Sequence, residues 1–443
     1  MPGNAVDPEG VTAWLTENAV PLTGVTAGTG HEDLSPIGEV LRGARIVALG
    51  EATHGSREFF TLKHRMIEFL VTRLGFRVFA IEAGCSGCRA VDDYIRDGSG
   101  DPAAALRALG YWTWNTAEIL DLIEWFREYN ARVPDAEKVS FRGVDPAVEP
   151  TAAEAVARYL EPIEPERAAR LREALTLLEP RSSASGLRSL ATALVLGGIR
   201  RVVGLGRKEK ARAEAAASAG ETVRETYEFV VRDEDRLVRA TSAEAWADAV
   251  EHLWALDKGV EIALQSPLGS GGNASRERSM AQAVARVLDK ETTRARMILW
   301  AHNGHVARKA DGWQPLGGHL AEQYGESYYA TALVFNEGSF QALKATGNGY
   351  TAPLEFEVAE APAGTVEHQL AQPDLGTYFL DVRGAREDER VARWVTEPSR
   401  MRSFGSIVGF WPMVKHTTIE VTLADEYDGL LMVPRTTRAT PLP

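Results

Sequence analysis

Apolar residues over the first 150 positions fall into two kinds of pattern. Residues 45–49, 78–81 and 139–144 are short, largely apolar runs of the kind found in buried strands. Residues 56–74 instead repeat apolar side chains at helical spacing, and Gly75 is suited to end that helix. Strands that alternate with helices are typical of a mostly parallel central sheet flanked by helices. The pattern therefore predicts an α/β fold.

The pattern changes between residues 151 and 265. This segment is rich in Ala, Arg, Glu and Leu, and its apolar residues recur three and four positions apart, as at Val156, Tyr159 and Leu160. That spacing predicts several helices and no strand. Apolar runs typical of strands return at residues 297–301, 329–335, 340–345, 378–382, 406–410 and 430–433.

These changes predict three segments. We expect residues 1–150 and residues 266–443 to form the two parts of one α/β catalytic core, with residues 151–265 as an all-helical insert between them. The chain leaves the sheet after Asp145 and returns before His302, and both residues stand at strand ends. The helical lobe should therefore lie over the carboxyl edge of the sheet, where lobes and loops commonly set specificity.

Ionisable residues stand where four of the expected strands end. Glu51 and His54 follow the first strand, Glu82 the second and Asp145 the third, and His302 follows the strand at residues 297–301. The carboxyl ends of parallel strands meet at one edge of the sheet, where α/β proteins bind ligands. We therefore expect these side chains to line an active site.

Several motifs of the chain resemble those of the erythromycin esterase family. Two are specific: Gly-Glu-Ala-Thr-His-Gly at residues 50–55 and Trp-Ala-His-Asn-Gly-His at residues 300–305. The Leu-Gly-Gly-His loop at residues 316–319 departs from the Met-Gly that the family often has. Supporting matches, which extend the resemblance over roughly residues 40–440, lie at residues 81–82, 112–118, 143–145, 276–280, 424–430 and 434–437.

The resemblance implies a hydrolase that cleaves an ester or lactone of a macrolide or another natural product. Histidine suits the general base of such a reaction, because its pKa lies near neutral pH. His54 is the expected base, and it would activate water without a serine or cysteine nucleophile. Glu51 or Glu82 is the carboxylate expected to orient the imidazole.

Other residues are candidates for stabilising negative charge and for binding substrate. The candidates for charge stabilisation are His302, His305, Arg57 and Arg276. The candidates for substrate binding are Trp112, Trp114 and Asp145. Paired aromatic side chains would suit an apolar macrocycle.

The sequence is also compatible with two alternatives to metal-free hydrolysis. The same His and Glu side chains could catalyse a cyclisation or elimination on a biosynthetic intermediate without hydrolysis. His302 and His305 are three residues apart, a spacing that can also present two imidazoles to a divalent metal. We expect no cofactor, with a metal ion as the alternative. The turn at residues 84–88 (Gly-Cys-Ser-Gly-Cys) approaches a nucleophile elbow, but Cys88 replaces its second glycine.

Composition narrows the location and the partners. The net charge of −13 argues against binding to a nucleic-acid backbone, which needs clustered Lys and Arg. The first residues lack the form of a secretory signal, and no apolar run approaches membrane-spanning length. Two cysteines are too few for a disulfide framework. We expect a cytoplasmic protein with a small-molecule partner and no nucleic acid or membrane partner. The oligomeric state is left open.

Overall fold

A computed structural model of the protein describes residues 7–178, 205–265, 270–291, 295–346, 349–409 and 417–443. The strands within these ranges are β1 (Val20–Pro21), β2 (Ile46–Leu49), β3 (Val78–Gly84), β4 (Ser140–Asp145), β5 (Met297–Trp300), β6 (Tyr328–Thr346), β7 (Gly349–Tyr350), β8 (Leu354–Val358), β9 (Tyr378–Asp381), β10 (Ser399–Arg402), β11 (Ile407–Val408), β12 (Thr418–Val421) and β13 (Gly429–Thr436).

A mixed sheet forms the centre of the fold, with the main strand order β1-β9-β13-β6-β2-β5-β3-β4. From β13 to β4 every neighbouring pair is parallel. The strand β9 is antiparallel to β13, and β7 and β8 are antiparallel to β6. The prediction of a mostly parallel sheet is therefore corrected to a mixed sheet. Only a few residues separate β6 from β7 and β8, which is too short for the crossover that a parallel pair needs.

The strand β6 is longer than the sequence predicts. Residues 329–335 and 340–345 were expected as two strands, but Tyr328–Thr346 is one strand. Gly338 lies between the two expected parts and pairs with Thr436 of β13 and Val358 of β8. Pairing on both sides therefore keeps this segment extended. Of the strand expected at residues 406–410, Ile407–Val408 is observed, and residue 410 lies outside the described residues.

Helices surround the sheet. The α-helices of the described residues are Pro8–Asn18, Ser35–Leu41, Arg57–Leu74, Arg89–Asp97, Pro102–Ala108, Ala117–Asn130, Pro150–Leu160, Pro165–Leu178, Leu205–Arg232, Glu234–Ala240, Ala243–Leu264, Ser270–Lys290, Asn303–Val306, Leu316–Tyr324, Val366–Leu370, Ala392–Thr396 and Leu423–Glu426. In the part of the chain that the structure describes, no helix is both long and apolar enough to cross a bilayer.

Helices and loops cover both faces of the central strands. Alternate residues of β2 pack into two separate apolar cores: Val47 and Leu49 into one, Ile46 and Ala48 into the other. Strands that are buried on both faces read as continuous apolar runs. This explains why the central strands were recognisable from the sequence.

The described residues between β4 and β5 are almost entirely helical. Their helices share a third apolar core that includes Val156, Leu171, Val223 and Leu256. A Cβ atom on Gly259 would stand 2.3 Å from the backbone of Ala147, so this helix packs directly on the segment that follows β4. Residues 179–204 and 266–269, also within or beside the predicted insert, lie outside the described residues.

Candidate active site

The loop after β2 carries Glu51 and His54 and is held rigidly in place. The carbonyl oxygen of Gly55 accepts hydrogen bonds from the backbone N–H groups of Gln341 and Ala439. A Cβ atom on Gly55 would stand only 2.1 Å from the Gln341 carbonyl oxygen, so glycine is needed for this close approach. The extended β6 and the C-terminal segment therefore fix the position of the loop.

His54 is oriented by Glu51. The His54 Nδ1 atom lies 2.7 Å from Glu51 Oε1, and a carboxylate can only accept, so Nδ1–H donates. In the neutral imidazole Nε2 is then the acceptor, which is the tautomer required of a general base. The His54 ring is 5.1 Å from the His302 ring and lies edge-on to Trp114 at 6.0 Å.

Glu51 has a buried cationic partner, Lys63. The Lys63 ammonium lies 2.7 Å from Glu51 Oε2, to which the Trp300 indole N–H also donates at 2.9 Å. Both charged side chains are fully buried. Burial lowers the pKa of Lys63 to about 8, although Glu51 opposes this. Burial raises the pKa of Glu51, but Lys63 and His54 lower it more, so the carboxylate is ionised.

The sequence reasoning missed Lys63, although the sequence carried a signal for it. The helix Arg57–Leu74 has a buried apolar stripe, and Lys63 lies within it. The residues three and four positions away on either side are buried and apolar: Phe59, Phe60, Met66 and Ile67. A lysine on such a face must be paired, because burying a lone charge is too costly.

Glu82 lies at the centre of a second group of charges. Its Oε1 atom is 2.9 Å from Arg276 Nη2 and 3.1 Å from His305 Nε2. Its Oε2 atom accepts the backbone N–H of His302 at 3.0 Å. Arg276 also binds both oxygens of Asp145, at 3.0 and 2.8 Å. Asp145 is therefore engaged in an ion pair, and the ends of β3 and β4 converge on one guanidinium.

His305 is held as a cation between two carboxylates. Its Nδ1 atom is 2.8 Å from Glu277, and its Nε2 atom lies 3.1 Å from Glu82 Oε1 and 3.2 Å from Arg276 Nη1. Burial lowers the pKa of His305, but Glu82 and Glu277 raise it to about 10, so both ring nitrogens are protonated at neutral pH. Glu277 was part of a matched motif but was not predicted as a site residue.

His302 is neutral and has its proton on Nε2. The Nδ1 atom accepts the backbone N–H of Gly304 at 3.1 Å. Burial and the neighbouring histidines lower the pKa of His302 to about 3. The Nε2 atom is buried, and no group among the described residues accepts its proton. It is therefore a buried donor without an acceptor among the described residues.

Trp114, Trp112 and Arg57, the other predicted site residues, differ in burial and in their contacts. Trp114 is buried, and its indole N–H donates to the Glu82 carbonyl oxygen at 3.1 Å. Trp112 is partly buried against one apolar core. The Arg57 side chain is 60% exposed and lies 3.9 Å from Glu118, so the structure does not bring it to the histidines.

Cationic side chains lie against the carboxylates of the cluster. In the ranges that the structure describes, no three His, Cys, Asp or Glu side chains are grouped as metal ligands. Lys63 lies against Glu51, while Arg276 and protonated His305 lie against Glu82. These cations occupy the carboxylate oxygens and would repel a divalent ion.

Comparison with known proteins identifies relatives in sequence. The family model of erythromycin esterase matches residues 71–436. The Bacillus subtilis protein YbfO, named only provisionally as a hydrolase, is 22% identical over 438 residues and covers 96% of this chain and 90% of that protein. The erythromycin esterase type II of Escherichia coli is 30% identical over 132 residues, which is 30% of each protein.

A solved structure shares the fold. An erythromycin esterase mutant in its open conformation superposes with a TM-score of 0.66 at 18% identity, over 92% of this chain and 94% of that chain. This likeness supports the mixed α/β fold with a large central sheet.

Proposed function

This chain belongs to the erythromycin esterase family, and from that membership we propose that it is a hydrolase that cleaves an ester or lactone with water activated by His54. Family membership suggests hydrolysis, and it implies a small-molecule substrate. The 2.7 Å contact between His54 Nδ1 and Glu51 carries the finer proposal, because it leaves Nε2 free to take a proton.

In the proposed reaction, a water molecule attacks the carbonyl carbon while its proton passes to His54 Nε2. Glu51 then stabilises the imidazolium that forms. Lys63 and Trp300 hold the second oxygen of Glu51, so the carboxylate stays ionised and aimed at Nδ1. When the tetrahedral intermediate collapses, the imidazolium returns the proton to the leaving alkoxide.

The negative charge of the intermediate needs a donor in place. We assign this role to the Nε2–H of His302, since it has no acceptor among the described residues and its ring lies 5.1 Å from the His54 ring. The N–H groups of His305 are both directed at carboxylates, so His305 would contribute through its charge. No metal is required in this mechanism.

The helices between Pro150 and Leu264 would form one wall of the cleft and govern substrate choice. Two contacts support this: Glu149 and His252 both bind the turn that follows β3. Residues 1–150 and 266–443 would then supply the catalytic core. The substrate would be a cyclic ester such as a macrolide, or a related natural product.

Labelled water tests the reaction type. A panel of macrolides and other cyclic esters would be incubated in H₂¹⁸O and the products analysed by mass spectrometry. Hydrolysis predicts a ring-opened acid that carries one ¹⁸O atom. An unlabelled isomer or a dehydrated product would instead identify the alternative, a cyclisation or elimination. The His54→Asn variant should lose the reaction, and His368→Asn serves as its matched control, because it makes the same change on the Val366–Leu370 helix.

A further inference from the structure

The pairing of β3 with β4 contains a bulge where β3 enters the candidate active site. Ile81 pairs with Gly143 of β4, and Gly84 pairs with Asp145, so β3 has one residue more than its partner over this interval. A Cβ atom on Gly143 would stand 2.2 Å from the Gly84 carbonyl oxygen, so glycine makes room for the bulge. Bulges re-aim side chains near active sites, and here the bulged residues include Glu82. Regular pairing with β4 therefore does not fix Glu82.

The turn after the bulge is held by Glu149 instead. The Glu149 carboxylate accepts hydrogen bonds from the backbone N–H groups of Ser86 at 3.0 Å and Gly87 at 2.6 Å. A Cβ atom on Gly84 would stand 2.4 Å from Glu149 Oε2, and its three nearest atoms would all belong to that carboxyl group. The turn is thus shaped around this carboxylate.

Glu149 does this instead of capping its own helix. It is the N-cap residue of the helix Pro150–Leu160, but its side chain makes no capping hydrogen bond. N-cap side chains usually accept from the first free N–H groups of their helix. Two further contacts tie the same turn to the helix Ala243–Leu264: His252 to Ser86 at 2.8 Å and Asp248 to Arg89 at 2.7 Å.

We propose that Glu149 is a positioning residue that holds the Ser86–Gly87 turn and, through it, fixes the Glu82 carboxylate against His305 and Arg276. The first helix of the helical segment would thereby be coupled to the active site. The inference rests on the proposed function, because Glu82 matters to the reaction only if this cluster is the active site.

Three variants test the coupling. Glu149→Gln removes one of the two acceptors, and Gly84→Ala displaces the carboxylate without changing any charge. Glu154→Gln is the matched control, since it makes the same change further along the helix, where Glu154 pairs with Arg158 and Arg172. The measurement is the pKa of His305, determined by NMR on protein labelled at histidine. The His305 resonance is assigned as the one missing from the spectrum of His305→Gln.

The His305 imidazole should stay protonated through pH 8 in the wild type and in Glu154→Gln. In Glu149→Gln and Gly84→Ala the pKa of His305 should fall by about one unit or more, because Glu82 moves away from it. Exchange of the Ser86 and Gly87 amide protons should accelerate by about tenfold or more. In Glu149→Gln and Gly84→Ala, the kcat for an ester that the wild type hydrolyses should fall, while KM changes little.

Two outcomes would overturn the proposal. One is a His305 titration in Gly84→Ala that matches the wild type, because any effect of Glu149→Gln alone would then be direct electrostatics. The other is unchanged amide exchange in both variants. If no ester is hydrolysed by the wild type, the proposed function fails, but the His305 titration still decides whether Glu149 positions Glu82.

Discussion

Replacing Lys63 by methionine tests whether the buried ion pair supports both stability and catalysis. Methionine has nearly the same length but no charge, so Glu51 would keep only the hydrogen bonds from His54 and Trp300. Removing one partner of a fully buried pair costs about 3–5 kcal/mol. For a chain of this size the midpoint of thermal unfolding should fall by roughly 3–5 °C. The control Lys309→Met breaks an exposed pair with Asp425 and should cost about 1 kcal/mol or less.

Activity should fall together with stability. Without Lys63, the buried Glu51 carboxylate either becomes protonated itself or holds His54 in its protonated form. In either case His54 no longer acts as the base. We therefore expect kcat to fall by about a hundredfold, the size of a general-base contribution. The double variant Lys63→Met/Glu51→Gln removes both charges. It should recover about 1–3 kcal/mol relative to the sum of the single changes, as coupled residues do, but no activity. A Lys63→Met protein that unfolds within about 1 kcal/mol of the wild type and keeps its turnover would refute this reasoning.

Three further predictions concern His54, His305 and the dependence of turnover on a metal ion. His54→Asn should reduce turnover by about a hundredfold or more with little loss of stability, as measured by steady-state kinetics and thermal unfolding; residual activity above a hundredth of the wild type would contradict the base role. The pKa of His305 is raised from 6.5 to about 10, so the folded state holds the extra proton and the resulting stabilisation is complete below pH 6.5 and lost as the pH rises towards 10. The difference in unfolding free energy between wild type and His305→Gln should shrink over that range, and a constant difference would count against a cationic His305. Treatment with a chelator should leave turnover unchanged, whereas loss of activity that Zn²⁺ or Mg²⁺ restores would establish a metal centre.

Much of the fold could be predicted from local patterns. The strands Ile46–Leu49, Val78–Gly84 and Met297–Trp300 lie within a few residues of their predicted bounds, because both faces of each are buried and residues 46–49, 78–81 and 297–300 are all apolar. The break expected within Tyr328–Thr346 was wrong for a related reason. Three of residues 336–339 are Asn, Gly and Ser, types that favour turns, but pairing with β8 and β13 keeps this segment extended. Strand pairing between distant segments outweighed local preference.

The sequence by itself also determined which ionisable groups stand at the ends of these strands, since Glu51 and His54 lie in the loop after one apolar run and Glu82 directly follows another. Only the tertiary structure decided their partners and their charges. His302 and His305 are three residues apart, yet His302 is neutral and His305 is a cation. Burial acts on both histidines, but only His305 lies between two carboxylates, which come from β3 and from the helix Ser270–Lys290. Charge states depend on distances between groups that are far apart along the chain, and a local pattern does not contain those distances.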